Sequence, residues 1–267
     1  MSLFAPFSSN GRTFAPAEEE PSWTGRSSGP SAPDPKRMQR WLCDAGNVCT
    51  PYQESSFTEN INWRIFRIMA EFVEGFEFLS KLKNEVTFFG SARSIVGSPE
   101  YEMAKQLAYK LSKEGYTVVT GGGPGVMEAA NWGAYEAGGE SVGLDIALPV
   151  EQRRNQYVKR SMSFNYFFTR KVMLSASAQA YIFFPGGFGT MDELFEMATL
   201  IQTGKMSRKV PIILVGKEFW TPMLNWMRNT MWDEHRFIEK QDVGILQVVD
   251  SVEEAFEIVH QTKERAF

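Results

Sequence analysis

The chain reads as a doubly wound α/β protein, a parallel sheet with helices on both faces. Short apolar runs alternate with amphipathic helical stretches from Glu85 to the C-terminus, and three of those runs end at glycine-bearing turns. At 267 residues the chain is long enough for one substantial core. Strands that read as near-continuous apolar stretches, such as "AYIFFPGG" (180–187), are buried on both faces, which places them in a parallel rather than a half-solvated antiparallel sheet.

The expected elements follow in order. Residues 1–57 are rich in Pro, Ser and Gly ("SSGPSAPDP"), show no sustained periodicity and read as an extension, partly disordered or draped over the body. Residues 58–267 form the folded domain. It opens with an amphipathic helix over 60–83, whose Ile61, Ile65, Ile68, Phe72, Phe76 and Leu79 form one apolar stripe that must be buried on the core or on another subunit. Strand "EVTFFG" (85–90) leads to a helix over 98–115, with Ser-Pro at its start and Gly at its stop. Then come strand 116–123, helix 125–139 and strand 141–148. A loop with the polar run "EQRRNQY" (151–157) leads to helix 165–179 and strand 180–187. Helix 190–204, strand 210–216, helix 217–231, strand 244–250 and helix 251–267 complete the domain.

Composition narrows the function. A net charge of −4 supplies no global basic field for nucleic acid. No run of 18 apolar residues predicts a membrane span, and the first residues lack the basic and apolar regions of a secretory signal. The spacing of Cys43 and Cys49 fits no common zinc pattern, and His235 and His260 lie far from them, so no metal and no cofactor is expected and the cytoplasm is the expected setting.

The ends of the strands carry the expected chemistry. "FFGSAR" (88–93), "VTGGGPGVME" (119–128) and "FFPGGFGTMDE" (183–193) are three glycine loops at one edge of the sheet, where open α/β folds hold their ligands. Glycines admit backbone N–H groups to an anion, and the helix that follows adds its positive end. The P-loop pattern is missing, as are the dinucleotide fingerprint and the G-x-S-x-G elbow, which leaves carboxylates, arginine and backbone amides as the chemical groups. A carboxylate suits the splitting of a glycosidic bond, whose transition state resembles an oxocarbenium ion. Asp192 and Glu193 are expected in the first turn of a helix whose start binds phosphate through Gly187, Gly189 and Thr190, with Arg170 or Lys171 offsetting their charge. As isolated residues they would be read as helix caps, favoured by the macrodipole by ~0.3–1 kcal/mol.

The segments "GGGPGVMEAANWGA" (121–134), "FFTRKVML" (167–174) and "PGGFGTMDE" (185–193) resemble the Lonely guy (LOG) family of nucleoside 5′-monophosphate phosphoribohydrolases, many of which were once labelled lysine decarboxylases. The resemblance spans most of residues 85–250 and implies a Rossmann-like fold. Arg170 and Glu193 are then the catalytic pair, and Lys171 belongs to the substrate-binding Arg-Lys unit. The segment from Gly186 through Gly187, Phe188 and Gly189 to Thr190 cradles the 5′-phosphate. Thr199 and Glu151 match substrate-contacting positions. Gly90 and Ser91, with Gly122, Gly123, Met127, Glu128 and Asn131, form the nucleotide's other wall, and Glu128 and Glu151 are candidates to protonate the leaving base. The implied substrate is AMP or a cytokinin riboside monophosphate, and the implied assembly is a homodimer or larger homo-oligomer. The N-terminal extension and the leading helix match the longer bacterial-type members. The alternative is a carrier of the same fold, such as a molybdenum-cofactor carrier, that binds a nucleotide or cofactor without turnover.

Overall fold

The computed structural model describes residues 61–147 and 154–264. Glu151, Cys43, Cys49 and the expected extension over 1–57 lie outside the described residues. Seven parallel strands form one sheet: β1 (Glu85–Phe89), β2 (Thr117–Thr120), β3 (Ser141–Ile146), β4 (Arg160–Phe164), β5 (Ala180–Phe183), β6 (Ile212–Val215) and β7 (Leu246–Val249). Their order is β4-β3-β2-β1-β5-β6-β7. The chain therefore winds outward from β1 in one direction, returns, and winds outward again from β5. The reversal falls between β1 and β5, which pair in register from Val86 opposite Ala180 to Phe89 opposite Phe183. At such a switch point the loops leaving the two strands diverge to opposite faces and open a crevice.

Helices α1 (Ile61–Leu79), α2 (Pro99–Lys113), α3 (Val126–Glu136), α4 (Phe167–Ala176), α5 (Phe188–Gln202), α6 (Lys217–Trp226), α7 (Lys240–Val243) and α8 (Val252–His260) surround the sheet. One face buries Val86 and Phe88 against α2, α3 and α8, through Leu107, Leu111, Ala130 and Val259. The other buries Phe89, Val119 and Phe183 against α1, α4, α5 and α6, through Leu79, Met173, Leu194 and Trp220. The central strands β1, β2, β5 and β6 are buried along their whole length, as their apolar runs predict.

Four elements depart from the sequence expectation. β4 lies within a stretch expected to be loop. Its sequence RSMSF buries Phe164 and partly buries Met162, and an edge strand that inserts only two apolar side chains gives almost no period-two signal. The short α7 lies where no helix was expected; a reciprocal cap between Glu239 and Asp242 fixes its start. Helix α6 was expected to run to Met231 as α-helix, but from Met227 to Glu234 the chain widens to π-type turns. The apolar stripe expected on α1 faces the core only in part: Leu79 is buried and Phe72 packs against the core. Ile65 is 48% exposed and Phe76 42%, while the buried face carries Glu71, Gly75 and Leu79. The reason lies in the fit against α4. A Cβ on Gly75 would collide with the Met173 side chain, so the glycine side is the one that packs closely. Glu71 stays buried because its carboxylate accepts from the Asn165 N–H (2.8 Å), the Asn165 Nδ2 (2.8 Å) and the Thr169 hydroxyl (2.5 Å). These bonds tie the segment leading into α4 to α1, and they hold the Glu71 carboxyl below the usual carboxylate range despite its burial.

Candidate active site

A cleft of about 900 Å³ opens at the carboxyl ends of β1 and β5. The loops around it are tied together by backbone bonds through one residue. The Ser91 N–H donates to the Pro185 carbonyl (3.0 Å), and the Ser91 carbonyl accepts from the Val126 N–H (3.0 Å). The turn after β1 is thus joined to the turn after β5 and to the first residue of α3. Gly125, at φ +70°, sits where a Cβ would collide with the Ser91 carbonyl, so this lacing needs glycine there.

The phosphate-type half of the cleft is the start of α5. Gly187 precedes the helix, and the Met191 N–H is the first to reach back to its carbonyl, at 3.0 Å. The N–H groups of Phe188, Gly189 and Thr190 therefore have no carbonyl one turn behind them. Gly187 and Gly189 have open space where a Cβ would stand, so a ligand can approach the backbone. Gly186 has a different purpose: a Cβ there would collide with the Thr190 side chain. Phe188 is 97% exposed at the mouth. Helix α5 begins two residues earlier than the sequence suggests, which puts Asp192 and Glu193 in its second turn; no acid occupies the first. The expected role of Asp192 as a first-turn dipole partner is therefore wrong, and the N-terminal amides face no carboxylate of their own turn.

Asp192 is engaged elsewhere. Lys171 Nζ lies 2.6 Å from Asp192 Oδ2, 3.0 Å from Glu196 Oε2 and 3.8 Å from Glu193 Oε1. Three carboxylates on successive faces of α5 converge on this one ammonium. Its pKa is raised because the hydrogen bonds to Asp192 and Glu196 and the charge of Glu193 together outweigh burial. Lys171 lines the cleft, but its charge is taken up by this cluster and not left free for a substrate.

Glu193 is 5% exposed, and its Oε2 has no hydrogen-bond partner. Burial pushes its carboxyl up to about 7; Lys171 pulls against that and Glu196 adds to it. Arg170, on the facing helix α4, makes no ion pair among the described residues, and its buried Nε is unpartnered. Burial pulls its pKa down while Glu193, Asp145 and Asp192 pull it up. The cleft thus holds one buried acid poised near neutrality and one half-buried guanidinium that makes no ion pair among the described residues and lies over the Phe167 ring.

Of the sequence-predicted residues, Gly90, Ser91 and Met127 line the cleft with Arg170, Lys171, Glu193 and the segment from Gly186 to Thr190. Gly122, Gly123, Glu128, Asn131 and Thr199 do not. Asn131 is fully buried. It accepts from Thr120 Oγ1 (2.7 Å) and Asn155 Nδ2 (2.9 Å) and donates to Ser141 Oγ (2.9 Å). Asn155 Nδ2 in turn donates to the carbonyls of Gly122 (3.2 Å) and Gly123 (3.0 Å). Asn131 therefore braces the Asn155 that holds the glycine loop from behind, a structural role in place of the expected wall contact. Glu128 acts on Tyr101, whose hydroxyl pKa burial and the Glu128 charge push up to about 12. The Thr199 hydroxyl bonds back to the Phe195 carbonyl at 2.7 Å.

Two residues that the sequence reading passed over matter here. Arg93 lines the cleft from the β1 turn, and its guanidinium has no ion pair among the described residues. It stands in the quoted "FFGSAR", where an arginine after a glycine turn was the available signal. Asp145, at the end of β3, accepts from Arg154 Nε (2.5 Å), while its Oδ1 is buried without a partner and lies where a Cβ on Gly122 would stand. No pattern in the sequence marks it. Among the described residues no group of three or more His, Cys, Asp or Glu is placed to hold a metal ion, and no helix is long and apolar enough to cross a membrane.

The family model described as "Possible lysine decarboxylase" matches residues 127–259. A rice (Oryza sativa subsp. japonica) cytokinin riboside 5′-monophosphate phosphoribohydrolase is 27% identical over 150 residues, 55% of this chain and 61% of the relative. The chain belongs to the LOG family. It spans about three fifths of that curated relative's length. Among solved structures, an X-ray structure of a structural-genomics target aligns with a TM-score of 0.52 at 27% identity, over 67% of this chain and 99% of that one. A molybdenum-cofactor carrier protein from Chlamydomonas aligns at 0.50 and 22% identity, over 67% of this chain and 96% of that one, a likeness of fold alone. The wording of the family model finds no support in the LOG-type cleft. A Schiff-base lysine needs a depressed pKa, and Lys171 is held by carboxylates that raise it.

Proposed function

We propose that this LOG-family chain hydrolyses the N-glycosidic bond of a nucleoside 5′-monophosphate, AMP or a cytokinin riboside monophosphate, to the free base and ribose 5-phosphate. The observation that carries the proposal is the pairing of an open helix N-terminus with a buried carboxyl on the same helix, poised near neutrality and with one oxygen free of hydrogen bonds. Glu193 stands three residues beyond Thr190, roughly 4.5 Å further along the axis at 1.5 Å per residue. That spacing separates the seat of the 5′-phosphate from the reacting end of the sugar.

The phosphate sits on the α5 amides, with Arg93 beside it. The base lies along the apolar wall that includes Met127, Ile146 and Phe167. As the C1′–N bond lengthens, ionised Glu193 stabilises positive charge on the ribose and orients a water. Arg170 positions the substrate and balances the carboxylate. The water oxygen bonds to C1′, its proton passes to Glu193, and the departing base takes up one proton from solvent, which completes the balance.

A carrier would use the same glycine cradle, but it has no need of a carboxyl held near neutrality, so the Glu193 environment favours the hydrolase. The exposed apolar side of α1, with Phe66 59% and Val73 67% exposed, supports a homodimer or larger homo-oligomer. The test is to incubate wild type and Glu193→Gln with AMP, with isopentenyladenosine monophosphate and with the matching nucleosides. Release of base from the monophosphates by wild type alone supports the proposal. Equal, negligible release by both proteins overturns it, and tight binding without product would favour the carrier.

A further inference from the structure

A second cleft, of about 990 Å³, opens at the opposite edge of the sheet, below the amino ends of β5, β6 and β7 and beside the end of α8. Lys205, Lys209 and Lys263 stand around it, and among the described residues no carboxylate lines it. None of the three ammonium groups meets a carboxylate within ion-pair distance among the described residues. In a chain whose net charge is −4, three lysines converging on one cavity without counter-charge make a local field that runs against the whole. The walls are apolar, with Phe76, Val172, Met206 and Pro211 among them. Gln179, only 4% exposed, forms part of the cleft. Its Nε2 donates to Thr262 Oγ1 (2.7 Å), and its Oε1 has no partner.

We propose that this cleft binds a nucleoside polyphosphate, at a site separate from the cleft at the switch point. Three separated positive charges match a chain of phosphates better than a single one. The apolar walls take a flat base and sugar. The amides of Gln247 and Gln261 on the lining, with Gln179 behind them, are suited to the polar edge of a nucleobase; an acyl chain would leave these amides unpaired. The same two helices reach both clefts. Val172 and Ser175 of α4 and Leu200 of α5 line this one, while the starts of α4 and α5 carry Arg170 and Glu193. The proposal does not depend on the hydrolase reading, because its test compares variants of this cleft's lysines in one common Arg170→Ala background.

The test titrates the full-length Arg170→Ala protein with ATP, inorganic triphosphate and adenosine by calorimetry. The expected result is saturable ATP binding, weaker binding of triphosphate and of adenosine, and at least a tenfold loss of ATP affinity in Arg170→Ala/Lys205→Ala/Lys209→Ala/Lys263→Ala. A control carrying Arg170→Ala with Lys83→Ala, Lys113→Ala and Lys217→Ala keeps the affinity, and circular dichroism checks that each variant is folded. Absence of saturable ATP binding overturns the proposal. So does an unchanged affinity in the cleft variant, an equal loss in the control, or triphosphate binding as tightly as ATP.

Discussion

The ammonium of Lys171 lies 3.8 Å from the Glu193 carboxylate and 2.6 Å from that of Asp192. The better-placed cation is thus shared with exposed Asp192, and buried Glu193 keeps a carboxyl oxygen without a partner. This arrangement lets Glu193 titrate near neutral pH in a protein that has a lysine close by.

Substituting Asp192→Asn should therefore move the acid limb of the pH–rate profile to lower pH. It removes a like charge that raises the Glu193 pKa and releases Lys171 toward Glu193, and both changes favour the ionised carboxylate. A pH profile of kcat on the monophosphate substrate measures the shift; an acid limb that stays in place or rises counts against the arrangement.

Glu193→Gln should trade activity for stability, and only at higher pH. A carboxyl whose folded pKa is raised to about 7 from 4.5 costs the fold nothing below the unfolded value. The cost grows as pH rises from 4.5 through 7 and stays constant above. At ~1.4 kcal/mol per pKa unit it is on the order of 3 kcal/mol at pH 8, less whatever the buried amide loses. Thermal melts should show the variant gaining on wild type between pH 5 and pH 8, while turnover falls roughly 10²–10⁴-fold.

Arg93→Ala should raise KM for the monophosphate by roughly tenfold or more and leave kcat nearly unchanged, since a charge-assisted hydrogen bond to a phosphate is worth about 1.5–3 kcal/mol of binding. Steady-state kinetics with AMP and adenosine decide it. Adenosine, which lacks the phosphate, should be handled alike by both proteins.

Glu71→Gln should destabilise the fold by about 2–3 kcal/mol near neutral pH, through loss of the charged acceptor that holds Asn165 and Thr169. The folded pKa of Glu71 is depressed, so its contribution is fully present above the ordinary carboxylate value and disappears as pH falls through the folded one. Urea titrations at pH 7 and at successively lower pH should show a difference from wild type that is large at neutrality and shrinks as the folded carboxyl takes up its proton.

Phe66→Glu/Val73→Glu should reduce the oligomeric state without lowering the melting temperature of the isolated chain by more than a few degrees, because both side chains are largely exposed. Light scattering measures the mass of both proteins, and a monomeric wild type or an unchanged mass counts against α1 as an assembly surface.

The alternation of apolar strands with amphipathic helices determines the parallel sheet, and the glycine turns mark the edge at which the cleft opens. Both are local signals: burial on two faces demands continuous apolar strands, and backbone approach to an anion demands small residues. β4 escaped because an edge strand buries only Met162 and Phe164. α1 misled because the stripe at Ile65 and Phe76 is real, while contact with α4 selects the side that carries Gly75 and Glu71.

At the site, the glycine turn by itself joined Glu193 to the segment from Gly186 to Thr190, and the family resemblance paired Glu193 with Arg170, which follows the strand β4 that the sequence did not show. Only the tertiary structure decided what each charge does. Lys171 is committed chiefly to Asp192 and Glu196, Asn131 is turned inward to brace the Asn155 that holds a glycine loop, and buried Glu193 keeps one oxygen without a hydrogen bond. A pKa depends on distances of a few ångströms between side chains on different elements, and residue spacing along the chain does not specify those distances.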